Sequence, residues 1–253
     1  MITLGEALTR FSASSPQEGA SLRLPLRQKK VARVRLSILG AVLQLTGERS
    51  LDDIAVREIC EMAQVAPATF FNYFPNKEAV LVYYMWLWSI PITLQCRAVA
   101  AQETAFNAVS AVFDYTAREM EQNPRLMFEM ITYIAQAHEP PQSPTISRAE
   151  RFLAFPNLAG AEDVEPQSLD DLFTSLLQRA RRAGELAPSL SIEAVALLLK
   201  TIFYGVPLAT RRGGAPIVRR AYQEVLDILL AGLKHEERSD PHTADPVRTT
   251  DLD

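Results

Sequence analysis

Residues 56–74 read VREICEMAQVAPATFFNYF, and this stretch decides the fold. Two short helices meeting at a steep angle must bury a small shared core. That needs apolar residues at fixed places and small ones where the backbones approach. Ile59, Ala63, Val65, Phe70 and Tyr73 supply the apolar set, and Cys60 is the small residue facing the partner helix. The spacing predicts one helix over 56–63, a turn, and a second helix over 67–74. Pro67 marks the second start, because the N–H that proline lacks is unpaired at the first helical position anyway. An ordinary helical hairpin inside a core is the competing reading.

Upstream, Leu36, Leu39, Val42 and Leu43 recur at helical spacing and predict a first helix over 31–46, stopped by Gly47. Residues 1–28 lack periodicity and read as a flexible basic arm. Arg23, Arg27, Lys29, Lys30, Arg33 and Arg35 fall in one stretch without an acid, although the chain's net charge is −4. A basic arm on an acidic protein points to a localised polyanion contact, or simply to a solvated tail.

Downstream, Asn76 is placed to cap a fourth helix over 77–97, broken or kinked at Pro91. Further helices are predicted over 103–121, 125–137, 168–183, 191–211 and 216–234, with a short one over 147–155 inside a proline-punctuated linker. The tail from 236 reads as disordered, and alternating strand patterns are absent. The expected fold class is all-α: an N-terminal three-helix helix-turn-helix domain over 29–77, then a helical domain over 78–235.

The order of these features resembles the TetR family. The resemblance lies in ARVRLSILGAVLQL at 32–45 and IAVREICEMAQVAPATFFNYFPNKEAVL at 54–81, most specifically in the run from Thr69 to Glu78. The C-terminal half is similar only in style, with the turn GELAPSLSIEAVALLL at 184–199. The resemblance implies a repressor that binds double-stranded operator DNA as a homodimer, and the isolated cysteines Cys60 and Cys96 suit a reducing cytoplasm. Its second motif helix would enter the major groove, with Pro67, Ala68, Thr69, Phe71, Asn72 and Tyr73 facing the DNA. Asn72 suits adenine, and Thr69 and Ala68 suit thymine methyls. Lys77 and Arg57 would hold phosphates, and Arg33 and Arg35 would add backbone contacts. The sequence departs from the family pattern at four points: Gln64 stands where glycine is usual in the turn, Ala55 for threonine, Ala66 for serine and Phe71 for tyrosine. A left-handed Gln64 costs about 1 kcal/mol relative to glycine, and each lost cap about as much.

The same resemblance makes the second domain a seat for a small-molecule effector and for dimerisation. The eighth and ninth main helices (191–211 and 216–234) are broadly apolar and are expected to form the homodimer interface, a large monomeric core being the alternative. Trp86, Trp88, Phe113, Met127, Phe128, Met130 and Tyr133 are candidates to line an effector pocket for an apolar or aromatic molecule, or else pack in the core. An effector that moves the fourth helix would respace the two reading heads, with Pro91 as a candidate hinge.

Other classes fare worse. No nucleophile motif, phosphate-cradling glycine loop or zinc-protease motif is present, so no enzyme and no cofactor is expected. Cys60 and Cys96 stand apart from each other and from the histidines, so no metal site is expected. The apolar segment 79–94 is shorter than the roughly 20 residues of a membrane span and reads as a buried helix. The main rival is a helical small-molecule-binding protein that keeps the regulator fold but has lost DNA recognition.

Overall fold

The computed structural model describes residues 24–138 and 142–234. The expected arm up to residue 23, with Arg23, and the tail from 235 lie outside the described residues. Ten α-helices follow in order among them, without a strand. They are α1 (Leu26–Glu48), α2 (Val56–Ala63), α3 (Pro67–Tyr73), α4 (Glu78–Gln102), α5 (Ala105–Gln122), α6 (Pro124–Gln136), α7 (Arg148–Ala154), α8 (Leu169–Arg182), α9 (Ile192–Thr210) and α10 (Ala215–Lys234).

The first helix begins five residues earlier than its apolar pattern suggested. Leu, Arg, Gln and Lys are good helix formers, so propensity carries α1 back to Pro25 without an apolar face. Arg27, Lys29 and Lys30 are therefore on a helix rather than in an arm. Gly47 does not stop α1, which ends at Glu48.

The expected break at Pro91 is also absent: α4 is one helix of 25 residues. Proline removes one backbone bond, but Ile90, Pro91 and Ile92 are all buried, and packing outweighs the loss. The apolar stretch is thus longer than the sequence suggested. Among the described residues two helices, Glu78–Gln102 and Ile192–Thr210, are long and apolar enough to cross a membrane by length and composition. The first is a core helix, with most of its apolar window covered by the rest of the chain.

Helix α1 packs on α2, α4, α6 and α7, whereas α3 packs chiefly on α2. The second bundle is α4, α5, α8, α9 and α10, centred on α5, which packs on α4, α8 and α10. Its middle is aromatic: Phe113 stacks on Phe173 at 5.7 Å and meets Tyr222 edge-on at 5.0 Å. The α2–α3 pair reaches the rest of the molecule through α1, which also packs on α4.

Candidate functional site

The turn between α2 and α3 is closed by backbone. Gln64 is left-handed (φ 55°, ψ 44°), the one non-glycine residue with positive φ among those described. The Val65 N–H donates to the Cys60 carbonyl at 3.0 Å and the Gln64 N–H to the Glu61 carbonyl at 3.3 Å, which is a Schellman ending. At the start of α2, Ala55 has no hydroxyl to offer, and Glu58 takes over by accepting from the Ala55 N–H at 2.8 Å. The Arg49 guanidinium, and then that N–H, hold the Glu58 carboxyl below its ordinary range. Helix α3 starts at Pro67 after Ala66, with no side-chain cap.

Helix α3 has two faces. Phe70 is fully buried beside Phe74, while Pro67, Ala68, Phe71 and Asn72 are exposed and Thr69 and Tyr73 half-buried. Phe71 is 54% exposed and held edge-on to Phe70 at 5.3 Å. Phe71 and Asn72 thus lie side by side on the outward face of α3. Arg57 lies exposed on α2 and pairs only with Glu61, one turn on, at 2.8 Å. Such a surface pair is weak and yields readily to a phosphate. Arg27, Lys30 and Arg33 are exposed near the N-terminus of α1, where a helix dipole disfavours cations.

Two expected DNA contacts are committed elsewhere. The Lys77 ammonium donates to the carbonyls of Leu51 (2.7 Å), Asp52 (3.0 Å) and Ile54 (3.2 Å). All three of its donors are used in fastening α4 to the loop before α2. The Arg35 guanidinium, its side chain 13% exposed, meets Glu150 at 2.6 Å and the Thr145 carbonyl at 2.8 Å. It lies over the Tyr83 ring at 4.2 Å. Arg35 therefore points into the molecule, because it sits on the side of α1 that packs against α7.

Glu150, 2% exposed, also accepts from the Tyr83 hydroxyl at 2.8 Å and from the Ser147 N–H and hydroxyl at 2.8 and 2.6 Å. This network ties α1, α4 and α7 together. Burial above all, with Glu150 adding to it, pushes the Tyr83 phenol well above its ordinary value and keeps it a donor.

A cavity of about 400 Å3 opens between α4, α5, α6, α8 and α9. Trp86, Trp88, Met127 and Met130 line it, as the sequence suggested. Phe113, Phe128 and Tyr133 do not: Phe113 faces α8 and α10 in the core, and the other two are half-buried on α6 away from the cavity. The sequence reading missed Tyr84, Glu119, Asn123, Lys200 and Phe203 among the lining residues. A signal existed: Thr116 and Glu119 fall among the otherwise mostly apolar buried residues of α5, and Asn123 caps its C-terminal end. Asn123 also donates its side-chain amide to the Leu43 carbonyl of α1 at 3.0 Å. The cavity wall thus touches α1 directly. No group of three or more potential metal ligands occurs among the described residues.

Residues 38–84 match the family described as bacterial regulatory proteins, tetR family. No curated protein matches the chain. Thermus thermophilus FadR, a TetR-family transcriptional repressor in complex with lauroyl-CoA, is similar in fold. Its TM-score is 0.58 at 23% identity, over 83% of this chain and 100% of that one. The Bacillus subtilis transcriptional regulator FadR, in complex with stearoyl-CoA, gives 0.53 at 17%, over 78% and 98%. The fatty acid degradation regulator FadR from Bacillus halodurans gives 0.52 at 19%, over 80% and 97%. The helix-turn-helix segment is thus similar to the tetR family of bacterial regulatory proteins, and the helical body shares its fold with these regulators.

Proposed function

We propose that this chain is a cytoplasmic repressor that holds operator DNA as a homodimer and releases it when a small molecule fills the cavity. The observation that carries the reading is the split character of α3: Phe70 anchored in the core, and Ala68, Phe71 and Asn72 presented outward on a turn locked at Gln64. Pro67, Thr69 and Tyr73 complete the groove-facing surface. Phosphate contacts come from Arg57, Arg33 and the exposed cations at the start of α1, all of which make affinity salt-dependent.

Dimerisation is supported by two neighbouring apolar stripes. Leu197, Leu198 and Leu208 are exposed on α9, and Ile217, Val225 and Ile228 on α10. On α10 the three share one side of the helix, next to the side that carries the buried Val218, Tyr222 and Leu226. Paired about a two-fold axis, α9 and α10 would form a four-helix interface.

The switch runs through two links. Asn123 joins the cavity wall to α1, and the adjacent Tyr83 and Tyr84 join the Glu150 network to the cavity. A ligand favouring a shifted α4 or α6 disfavours the DNA-bound spacing by the same free energy. The direct test is a mobility shift on the DNA immediately upstream of the chain's own gene, at two salt concentrations. Selective, salt-sensitive binding that Asn72→Ala removes supports the reading. Equal weak binding to any duplex contradicts it and favours the ligand-binding rival. The uncapped Ala55 and Ala66, and the internal engagement of Arg35 and Lys77, are the observations that favour that rival.

A further inference from the structure

Resting on the reading of the cavity as the effector's seat, we propose that the effector is an uncharged, largely apolar molecule that carries a carbonyl, of the ketone or ester class. Trp88 and Tyr204 are the specificity-determining residues. The indole N–H of the first and the hydroxyl of the second donate to the carbonyl end of the ligand.

The donors of the cavity wall carry this. Its other hydroxyls and amides are already bonded within the protein. The Thr116 hydroxyl donates to the Val112 carbonyl at 2.8 Å, the Ser168 hydroxyl to Asp171 at 2.7 Å and the Gln167 amide to Thr93 at 2.7 Å. Trp88 and Tyr204 line the same cavity, and neither side chain has an acceptor among the described residues. Trp88 is only 9% exposed, so bulk water scarcely reaches it. The Trp86 indole is unpartnered too but half-buried, within reach of bulk water. Side-chain polar atoms that are both fully covered and unpartnered all belong to arginines among the described residues. The Trp88 nitrogen and the Tyr204 oxygen therefore open onto free space, and the cavity supplies it. Both rings meet Phe203 edge-on, Trp88 at 5.9 Å and Tyr204 at 5.1 Å between centroids, so the two donors share one wall. Burial above all, with Asp170 adding to it, pushes the Tyr204 phenol up to about 12 and keeps it a donor at neutral pH.

Open donors in a wall of rings and thioethers call for an acceptor on the ligand. A water there has few further partners, so a ligand oxygen replaces it at little loss. A carbonyl oxygen has two lone pairs and takes one donor or both. The charge of the acceptor follows from Lys200, the one cation among the lining residues, which Asp170 already holds. An anionic head would find no unpaired cation on the wall and would meet the Asp170 carboxylate.

Benzophenone and diphenylmethane share a shape and differ only in a carbonyl against a methylene, and diphenylacetate puts a carboxylate on a similar body. Equilibrium dialysis against the full chain gives a dissociation constant for each. Benzophenone should bind at least as tightly as diphenylmethane, although water holds its carbonyl, and at least tenfold more tightly than diphenylacetate. Trp88→Phe with Tyr204→Phe keeps both rings and removes both donors. That double variant should bind benzophenone at least fivefold more weakly and diphenylmethane within twofold of the parent, which also shows its cavity intact. The proposal is overturned if the unaltered chain prefers diphenylmethane, or prefers benzophenone to diphenylacetate by less than tenfold; neither comparison needs a variant to fold. It is also overturned if the double variant, still holding diphenylmethane, loses less than fivefold for benzophenone. The two failures are distinguishable. Diphenylmethane bound without preference for the ketone removes the carbonyl and leaves the cavity reading in place, whereas no binding of any of the three removes both.

Discussion

Tyr83 and Tyr84, neighbours on α4, hold two different buried glutamates: Tyr83 donates to Glu150 at 2.8 Å and Tyr84 to Glu119 at 3.1 Å. The first carboxylate is paired with Arg35 of α1, and the second lines the cavity. One turn of one helix therefore carries both the tie to the reading head and the wall of the ligand space. A small rotation of α4 cannot alter one without the other.

Removing Arg35 separates a structural cation from a DNA-binding one. Arg35→Met leaves Glu150 buried without its counter-charge and should lower stability by about 3 kcal/mol in urea unfolding. It should leave the salt dependence of DNA binding nearly unchanged. Arg33→Ala, at an exposed site, should do the reverse: stability within about 0.5 kcal/mol of the parent, and a salt slope smaller by about 1. Equal effects of the two changes on the slope would return Arg35 to the DNA surface.

Lys77 is the parallel case on α4. Lys77→Ala strips three carbonyls of a charged donor and should cost about 2 kcal/mol of stability, seen as a lower unfolding midpoint. Any loss of operator affinity should follow from that loosening and shrink when binding is measured at lower temperature. A stable Lys77→Ala protein with weakened DNA binding at every temperature would place Lys77 on phosphate instead.

The turn offers stabilising changes. Gln64→Gly relieves a left-handed side chain and should raise stability by up to about 1 kcal/mol. Ala66→Ser supplies the missing cap of α3 and should add about 1 kcal/mol. Both are read by thermal unfolding. A loss of stability on Gln64→Gly would mean that the glutamine side chain makes up for its backbone strain.

The pH dependence follows from buried thiols and phenols. Burial pushes the Cys96 thiol from 9.0 to about 12 and the Tyr204 phenol from 10.0 to about 12, and raises Tyr83, Tyr84 and Tyr222 as well. The folded chain holds these protons more tightly than the unfolded one. Their contribution is full below about pH 9 and is lost as pH rises towards 12. Tm should be level from neutral pH to about 9 and fall steeply above 10. A thiol reagent at neutral pH should find neither buried cysteine in the folded protein and both in denaturant. On the acid side Glu58, whose carboxyl is lowered by Arg49, supports α2 above its ordinary range and stops doing so as pH falls below it.

The helix-turn-helix was readable because its constraints are local. Pro67 sets the start of α3, Phe70 must be inside, and the Gln64 position demands a left-handed backbone. The start of α4 was readable for the same reason, through Asn76, whose side chain accepts from the Ala79 N–H; Thr104, Asn123, Ser168 and Ser191 cap α5, α6, α8 and α9 in the same way. Side-chain partners far apart in the chain were not. Nothing near Arg35 announces Glu150, 115 residues away. Nothing near Phe113 tells the ring to face Phe173 rather than a cavity. The start of α1 was misplaced because apolar periodicity is silent where a helix is polar on every side.

The central claim is that α3 reads DNA sequence, and selection from a random pool of DNA duplexes tests it most directly. The account predicts enrichment of a two-fold-symmetric site, with half-sites separated by whole turns of the duplex. Asn72→Ala, still folded, should lose that preference while keeping weak, salt-sensitive binding. Selection that returns no preferred sequence, with Asn72→Ala indistinguishable from the parent at every salt concentration, would contradict it.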